Sequence, residues 1–214
     1  METQTWLADT RTSYDTVAES YYDFVRDSLT DKPFLQGALT LFADLVRTTD
    51  GGPVADVGCG PGHVTAYLRG LGLDAFGVDL SPGMIEVARR EHPGLRFDVG
   101  SMTDLPLADD SVAGLLAFWS VIHVPDDQIP TVFAQFRRVL RPGGPVLVGF
   151  HVGQGDRLKT EGYGGHPMNV HVYRRQPDQV AEWLREAGFT VEASLTVSPY
   201  AEVPGGLVYA RRAD

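Results

Sequence analysis

The segment Asp56-Val57-Gly58-Cys59-Gly60-Pro61-Gly62-His63-Val64 narrows the possible folds more than any other part of the chain. It continues a short apolar run, Pro53-Val54-Ala55-Asp56-Val57, which is bounded by glycines and reads as a buried strand. A helical pattern over 62–70 follows. Glycines at 58, 60 and 62 permit a tight strand-to-helix turn and let the backbone approach a ligand closely. From this point strands and helices alternate: strand 74–79, helix 82–91, strands 95–99 and 112–118, helix 126–140, strand 145–151. Apolar strands alternating with helices imply a parallel sheet covered on both faces.

Two amphipathic helices precede the turn. Tyr14, Val17, Ala18, Tyr21, Tyr22 and Val25 define the first, over about 13–29; Phe34, Leu35, Ala38, Leu41, Phe42, Leu45 and Val46 define the second, which ends near Asp50-Gly51-Gly52. After the core, 153–171 is rich in Gly, His, Tyr and polar residues without clear period, and reads as a long loop, a lid or binding segment. Gln176-Pro177-Asp178 opens a helix that ends at Ala187-Gly188. Strands at 189–197 and 206–211 follow, joined by a hairpin-like connection from Pro199 to Gly206. The expected organisation is one domain over 1–214, with a helical cap at 1–50 and a core at 51–214.

Composition removes several function classes. With 28 acidic and 18 basic residues among 214, the formal charge is −10, which disfavours nucleic acid and anionic membrane surfaces as partners. Cys59 is the one cysteine, so an internal disulfide and a multi-cysteine zinc site are excluded. The opening residues show neither a basic nor an apolar leader region, and no apolar run reaches the roughly 20 residues of a membrane span. The expectation is a cytoplasmic protein, monomer or homodimer, acting without a metal.

Seventeen residues after Gly62, the second strand ends in Asp79 (Phe76-Gly77-Val78-Asp79-Leu80). That places a carboxylate where a ribose diol would lie. Strand, turn, helix, strand and acid in this order are far more specific than glycines alone. Dinucleotides and S-adenosylmethionine (SAM) both use this geometry. A pyrophosphate would meet the charge of Asp56, whereas SAM carries a cationic sulfonium and ammonium that an acidic turn suits.

The chain resembles the class I SAM-dependent methyltransferases, in particular the small bacterial group of methyltransferase domain types 11 and 25. Residues 56–62 resemble the family's first motif and Asp79-Leu80-Ser81-Pro82-Gly83-Met84 its second. Gly100-Ser101-Met102-Thr103-Asp104-Leu105-Pro106-Leu107 is similar to the adenine-side motif. Phe118-Trp119-Ser120-Val121-Ile122-His123 is similar to the segment after the fourth strand, and Leu140-Arg141-Pro142-Gly143-Gly144 to the turn before the fifth. Tyr14-Asp15 with Ala18 and Tyr21 resembles the N-terminal helix that closes over the cofactor.

The resemblance implies a Rossmann-like three-layer α/β sandwich, with a seven-stranded sheet in the order 3-2-1-4-5-7-6 and strand seven antiparallel. It also implies SAM as methyl donor, a small-molecule acceptor, and S-adenosylhomocysteine as product. Carried over by position, Asp56, Gly58, Gly60 and Gly62 border the methionine part and Asp79 the ribose, with Cys59 in the same cofactor turn and Tyr14 on the helix over the cofactor. Leu80 and Met84 pack on adenine, Ser101 and Met102 approach its edge, and Phe118 lines the methyl-bearing end. Many relatives carry Asp where this chain has Ser101, whose uncharged contact is weaker.

His123 follows the fourth strand, at the sheet end where α/β folds bind ligands, and is the candidate general base for an acceptor that must lose a proton. Its plainer role is a hydrogen bond to a loop carbonyl. Tyr21, Trp119, His123, His151, His166, His171 and Tyr173 are the candidate acceptor-site residues, although the tyrosines serve equally as amphipathic packing. The spacing of the histidines is not that of a metal site. Cys59 needs only to be small, Asp126-Asp127 reads as a helix cap after Pro125, and Arg211-Arg212 as a solvated terminus. Two other classes stay open: a non-catalytic SAM-binding or partner-binding module, and a nicotinamide-dependent oxidoreductase, which Asp56 argues against.

Overall fold

A computed structural model describes residues 2–198 and 201–214, and the side chains from residue 5 onward. Met1, Pro199 and Tyr200 lie outside the described residues, so the start of the expected 199–206 connection does too. Two helices come first, α1 (Glu2–Val25) and α2 (Pro33–Arg47). The alternating core follows: β1 (Pro53–Val57), α3 (His63–Gly70), β2 (Asp74–Asp79), α4 (Pro82–Glu91), β3 (Phe97–Val99) and β4 (Gly114–Phe118). Two 3-10 turns, Val121–His123 and Asp126–Gln128, precede α5 (Ile129–Val139) and β5 (Pro145–Val152). The chain continues with β6 (Asp156–Gly162), β7 (His166–Arg175), α6 (Pro177–Glu186), β8 (Phe189–Val197) and β9 (Gly205–Arg212).

Strands β3, β2, β1, β4 and β5 lie side by side and parallel, and β9 joins β5 antiparallel from Pro145↔Arg211 to His151↔Gly205. β8 then pairs with β9 antiparallel. With β8 and β9 counted as sixth and seventh, this is the 3-2-1-4-5-7-6 order with an antiparallel seventh strand. The sheet has nine strands among the described residues rather than seven, because β6 and β7 form an added antiparallel hairpin. It meets the sheet through His151↔Arg174 and Val152↔Arg175.

The expected loop at 153–171 is therefore this hairpin, with its tip at Tyr163-Gly164-Gly165, all of positive φ. β6 (Asp-Arg-Leu-Lys-Thr-Glu-Gly) is exposed along nearly its whole length, so no apolar alternation marks it. β7 does alternate, and buries Met168 and Val170. The first helix begins at residue 2 rather than 13 and ends at Val25. The helix expected over 126–140 is split, its first turn being 3-10. Asp126 makes no cap bond; its carboxylate pairs with Arg175.

Both sheet faces are covered. Phe133, Phe136 and Val139 of α5 and Val180 and Leu184 of α6 pack on Ala55, Val57, Leu115 and Val148. On the other face Leu39, Phe42 and Val46 of α2 and Val64 and Leu68 of α3 pack on Val54, Leu116 and Leu147. Each such side chain contributes about 1.5–3 kcal/mol relative to exposure. α4 is set by its own sequence. Ser81 caps it by accepting from the Met84 amide (3.0 Å), and Pro82 occupies its first turn. α1 lies across the top, packing Val17 and Ala18 against Met84 and Val87 of α4 and Met168 and Val170 of β7. Arg211 and Arg212, expected to be a solvated terminus, belong to β9, where Arg211 pairs with Glu192 and Arg212 with Asp110.

Candidate active site

The cavity opens at the C-terminal ends of β1, β2 and β4, where strand order reverses and open α/β sheets take ligands. Its floor is Val57, Gly58, Gly60, Asp79, Leu80, Met84, Gly100, Ser101 and Met102; Trp119, Ser120, His123 and Val124 form one wall, and Trp6, Leu7, Thr10, Tyr14 and Tyr21 of α1 the roof. A wider cleft between α1, the 121–128 turns and the hairpin adjoins it, sharing Trp6, Thr10 and His123. The cavity has a volume of about 80 Å³ and the cleft one of about 510 Å³.

The turn is built as its glycines require. Gly58 has φ +75°, and a Cβ there would fall 2.2 Å from the Cβ of Ser120. The Gly58 and Cys59 amides donate to the Val78 carbonyl at 2.7 and 3.2 Å, holding the turn on β2. The carboxylate of Asp79 accepts from the amides of Gly60 (2.8 Å) and Ser81 (2.9 Å). Burial raises its pKa, and these backbone donors oppose the rise.

Several residues expected at the cofactor do not line the cavity. Asp56 is buried and does not line the cavity; its carboxylate accepts from the Thr65 hydroxyl at 2.6 Å, tying β1 to α3. Burial pushes its pKa up to about 7, with the Thr65 bond opposing. Cys59 is buried with Ile85, Ala88 and Phe97, its thiol pushed up by burial and by the charges of Asp79 and Asp56, so it is a spacer. At Gly62 a Cβ would meet the Phe97 ring at 2.7 Å, so that glycine serves packing. Phe118 lies outside the cavity lining and packs edge-on against Trp119, ring centroids 4.5 Å apart. Leu80, Met84, Ser101 and Met102 do line the cavity, and the Ser101 hydroxyl is bonded to that of Thr103 (2.7 Å).

His123 lies at the seam of cavity and cleft. Its Nδ1 is 2.8 Å from the His171 carbonyl oxygen, and its Nε2 is 2.6 Å from the Tyr14 hydroxyl. A carbonyl only accepts, which assigns the proton to Nδ1 and makes Nε2 the acceptor of the Tyr14 O–H. Burial lowers the His123 pKa to about 4, despite the His171 bond that favours the charged form. The imidazole is thus neutral near pH 7. Burial also raises Tyr14 well above the ordinary phenol value, so its proton stays in place. Tyr21 packs edge-on against Tyr14 (5.6 Å) and Tyr163 (4.6 Å).

The other acceptor-site candidates separate. Trp119 lines the cavity with φ +55°, and its ring fills the space left by Gly149 and Gly205. A bulky residue in that conformation is strained and marks a constrained site. Its indole Nε1 donates to Nδ1 of His151 (3.3 Å), which stands behind it, outside the cavity. His171 and Tyr173 line the cleft, and the His171 ring pairs with Asp156. His166 is exposed and lines neither space. The sequence reading missed the roof residues Trp6, Leu7 and Thr10, although Trp6, Thr10, Tyr14, Val17 and Tyr21 continue one helical stripe. Asp15, named with Tyr14 in the N-terminal helix motif, accepts from the Ser81 hydroxyl (2.6 Å) and the Gly83 amide (2.9 Å) and so clamps α1 to α4, a contact the sequence did not show. Among the described residues, no group of three or more His, Cys, Asp or Glu is placed to hold a metal, and no helix is long and apolar enough to cross a membrane.

Residues 54–144 match the family model described as a methyltransferase domain. A malonyl-[acyl-carrier protein] O-methyltransferase from Pectobacterium atrosepticum is 33% identical over 125 residues, covering 51% of this chain and 47% of the relative. The chain thus spans about half the length of that curated relative. A demethylmenaquinone methyltransferase from Renibacterium salmoninarum is 29% identical over 194 residues, covering 81% and 78%. Among solved structures, the 1,6-didemethyltoxoflavin-N1-methyltransferase of Burkholderia thailandensis, with 1,6-didemethyltoxoflavin and S-adenosylhomocysteine bound, superposes with TM-score 0.64. It is 25% identical and covers 95% of this chain and 91% of that one. Family motif, sheet order and the glycine turn with Asp79 agree over this region: the chain is similar to the class I SAM-dependent methyltransferases.

Proposed function

We propose that this protein transfers the methyl group of SAM to a small-molecule acceptor, with Tyr14 and His123 taking the acceptor's proton. The reading is carried by one observation: the Tyr14–His123 hydrogen bond lies in the same cavity as the glycine turn and Asp79. The residues present fit SAM. Asp79 offers carboxylate oxygens to the ribose hydroxyls, Leu80, Met84 and Met102 an apolar shelf for adenine, and Ser101 a hydroxyl at its edge. Gly58 and Gly60 leave room beside the backbone for the methionine part, and the buried indole N–H of Trp6, which has no hydrogen-bond partner among the described residues, is a donor for a ligand oxygen. Bound SAM supplies a methyl carbon already activated by its sulfonium.

What remains for the protein is alignment, exclusion of water and proton transfer. The α1 roof and Trp119 enclose the reacting end. An acceptor hydroxyl hydrogen-bonded to Tyr14 Oη gives up its proton there as its lone pair attacks, and an ammonium gives it up beforehand to free the lone pair, while Tyr14 passes its own proton to His123 Nε2. The imidazolium so formed keeps its Nδ1–H bond to the His171 carbonyl. Such a base contributes about 10²–10⁴-fold. Radiolabelled methyl transfer to a panel of amines, phenols, thiols and carboxylates tests the proposal. Transfer to at least one acceptor is expected, lowered at least tenfold in His123→Asn with S-adenosylhomocysteine affinity unchanged. No transfer to any class overturns the activity, and undiminished transfer in His123→Asn overturns the base.

A further inference from the structure

We propose that Arg175 is a positioning residue for methyl transfer: it fixes the turn that carries His123, so that Nε2 faces Tyr14 and the cavity. This rests on the reading of Tyr14 and His123 as the proton-accepting pair. Arg175 ends β7 and is 1% exposed, the largest fully buried side chain of the core. Its guanidinium reaches the turn in three directions. Nη1 donates to the Val121 carbonyl (2.9 Å), Nη2 to the Val124 carbonyl (2.5 Å) and Nε to the Asp126 carboxylate (2.9 Å). The two carbonyls bracket His123 in sequence. Its planar fork suits such a set, whereas a lysine has a single point of attachment and cannot hold all three.

The guanidinium is fixed in turn, with the rings of Tyr173 and Trp183 centred 5.3 and 5.7 Å from its carbon. Four residues earlier on the same strand, the His171 carbonyl accepts from His123 Nδ1. β7 therefore grips His123 twice, by its ring through a backbone carbonyl and by its flanking backbone through Arg175. The added hairpin is thus more than a lid over the cleft. It selects the imidazole tautomer and aims it.

The groups facing His123 from the surrounding elements are Tyr14 of α1, His151 of β5, Lys159 of β6 and Arg175 of β7, with Asp126 beside the guanidinium. Arg175 and Lys159 both disfavour a charged imidazole. Removing Arg175 lets the turn relax toward solvent and takes away a positive charge, so both effects raise the His123 titration midpoint toward about 6.5.

Long-range ¹⁵N–¹H spectra of the histidine-labelled full chain with S-adenosylhomocysteine test this without a known acceptor. In the parent, His123 should show one neutral tautomer, protonated at Nδ1, throughout pH 5–8. Arg175→Met should show averaged tautomers and a midpoint raised by at least one pH unit, and Arg175→Lys a smaller change of the same sign. Asp126→Asn, which spares both carbonyl bonds, should change less still and stands in if Arg175→Met does not fold. A purely structural arginine would lower the Tm of its variants without moving the His123 signals. Loss of transfer in His123→Asn together with parental His123 signals in Arg175→Met and Arg175→Lys overturns the role of Arg175 alone. Undiminished transfer in His123→Asn overturns the proton-accepting pair and this role with it.

Discussion

Acidification from pH 7 to pH 5 will destabilise the fold by about 2 kcal/mol through His123 alone. Burial holds this imidazole at a pKa of about 4 in the native state, whereas in an unfolded chain it titrates near about 6.5. The native value is the lower one, so the unfolded state binds the proton more readily. The contribution is fully present above about pH 6.5 and is lost as pH falls toward about 4. At pH 5 the unfolded imidazole is roughly 97% protonated and the native one about 10%, which gives the 2 kcal/mol above; below both values the loss reaches about 3 kcal/mol. His63, also lowered to about 4 by burial, acts in the same sense. Asp56, raised to about 7, acts in the opposite one. The measurement is therefore a difference: urea unfolding of the parent and of His123→Asn at pH 7, 6 and 5. The parent should lose about 2 kcal/mol more than the variant over that range. Parallel pH dependences would refute the neutral, solvent-shielded base.

Three further outcomes follow from the same geometry. Tyr14→Phe removes the hydroxyl bonded to His123 Nε2, and should lower transfer about 10- to 100-fold while leaving S-adenosylhomocysteine affinity within about twofold, as steady-state kinetics and calorimetry will show. Gly58→Ala combines φ +75° with a Cβ 2.2 Å from that of Ser120, and should cost about 3 kcal/mol in thermal unfolding. Adding Ser120→Gly should recover part of that loss, and no recovery would place the strain elsewhere. Asp15→Ala deletes both bonds from α1 to the start of α4, so amide exchange over residues 2–25 should quicken by about tenfold, consistent with about 1–2 kcal/mol of lost local protection.

The parts of the site that lie close in sequence were legible, and those assembled across the fold were not. β1, the glycine turn, α3 and β2 declare themselves because buried parallel strands read as apolar runs and glycine marks the turn; Asp79 then falls at a fixed distance. The same pattern led to Asp56 as a ligand contact, and sequence spacing does not say that its carboxylate turns back to Thr65. The hairpin was hidden by β6, an exposed edge strand with no apolar face to conserve a period. Met168, Val170 and Val172 did carry a strand's alternation in β7. Tyr14 and His123 stand 109 positions apart, and only the lie of α1 across the sheet brings them together. Arg175 gave no local signal, since nothing near it in sequence predicts burial.

The central claim is that the glycine turn and Asp79 form a SAM site. Titration calorimetry with S-adenosylhomocysteine on the parent and on Asp79→Asn tests it most directly. Asp79 stands in the cavity floor with its carboxylate bonded to Gly60 and Ser81, and the ribose diol needs that charged acceptor. One molecule should bind per chain, with affinity falling at least about tenfold in the variant, as loss of about 1.5–3 kcal/mol from a charged hydrogen bond requires. NAD should give no heat. Binding of NAD without S-adenosylhomocysteine, or an affinity that Asp79→Asn leaves unchanged, would contradict the account.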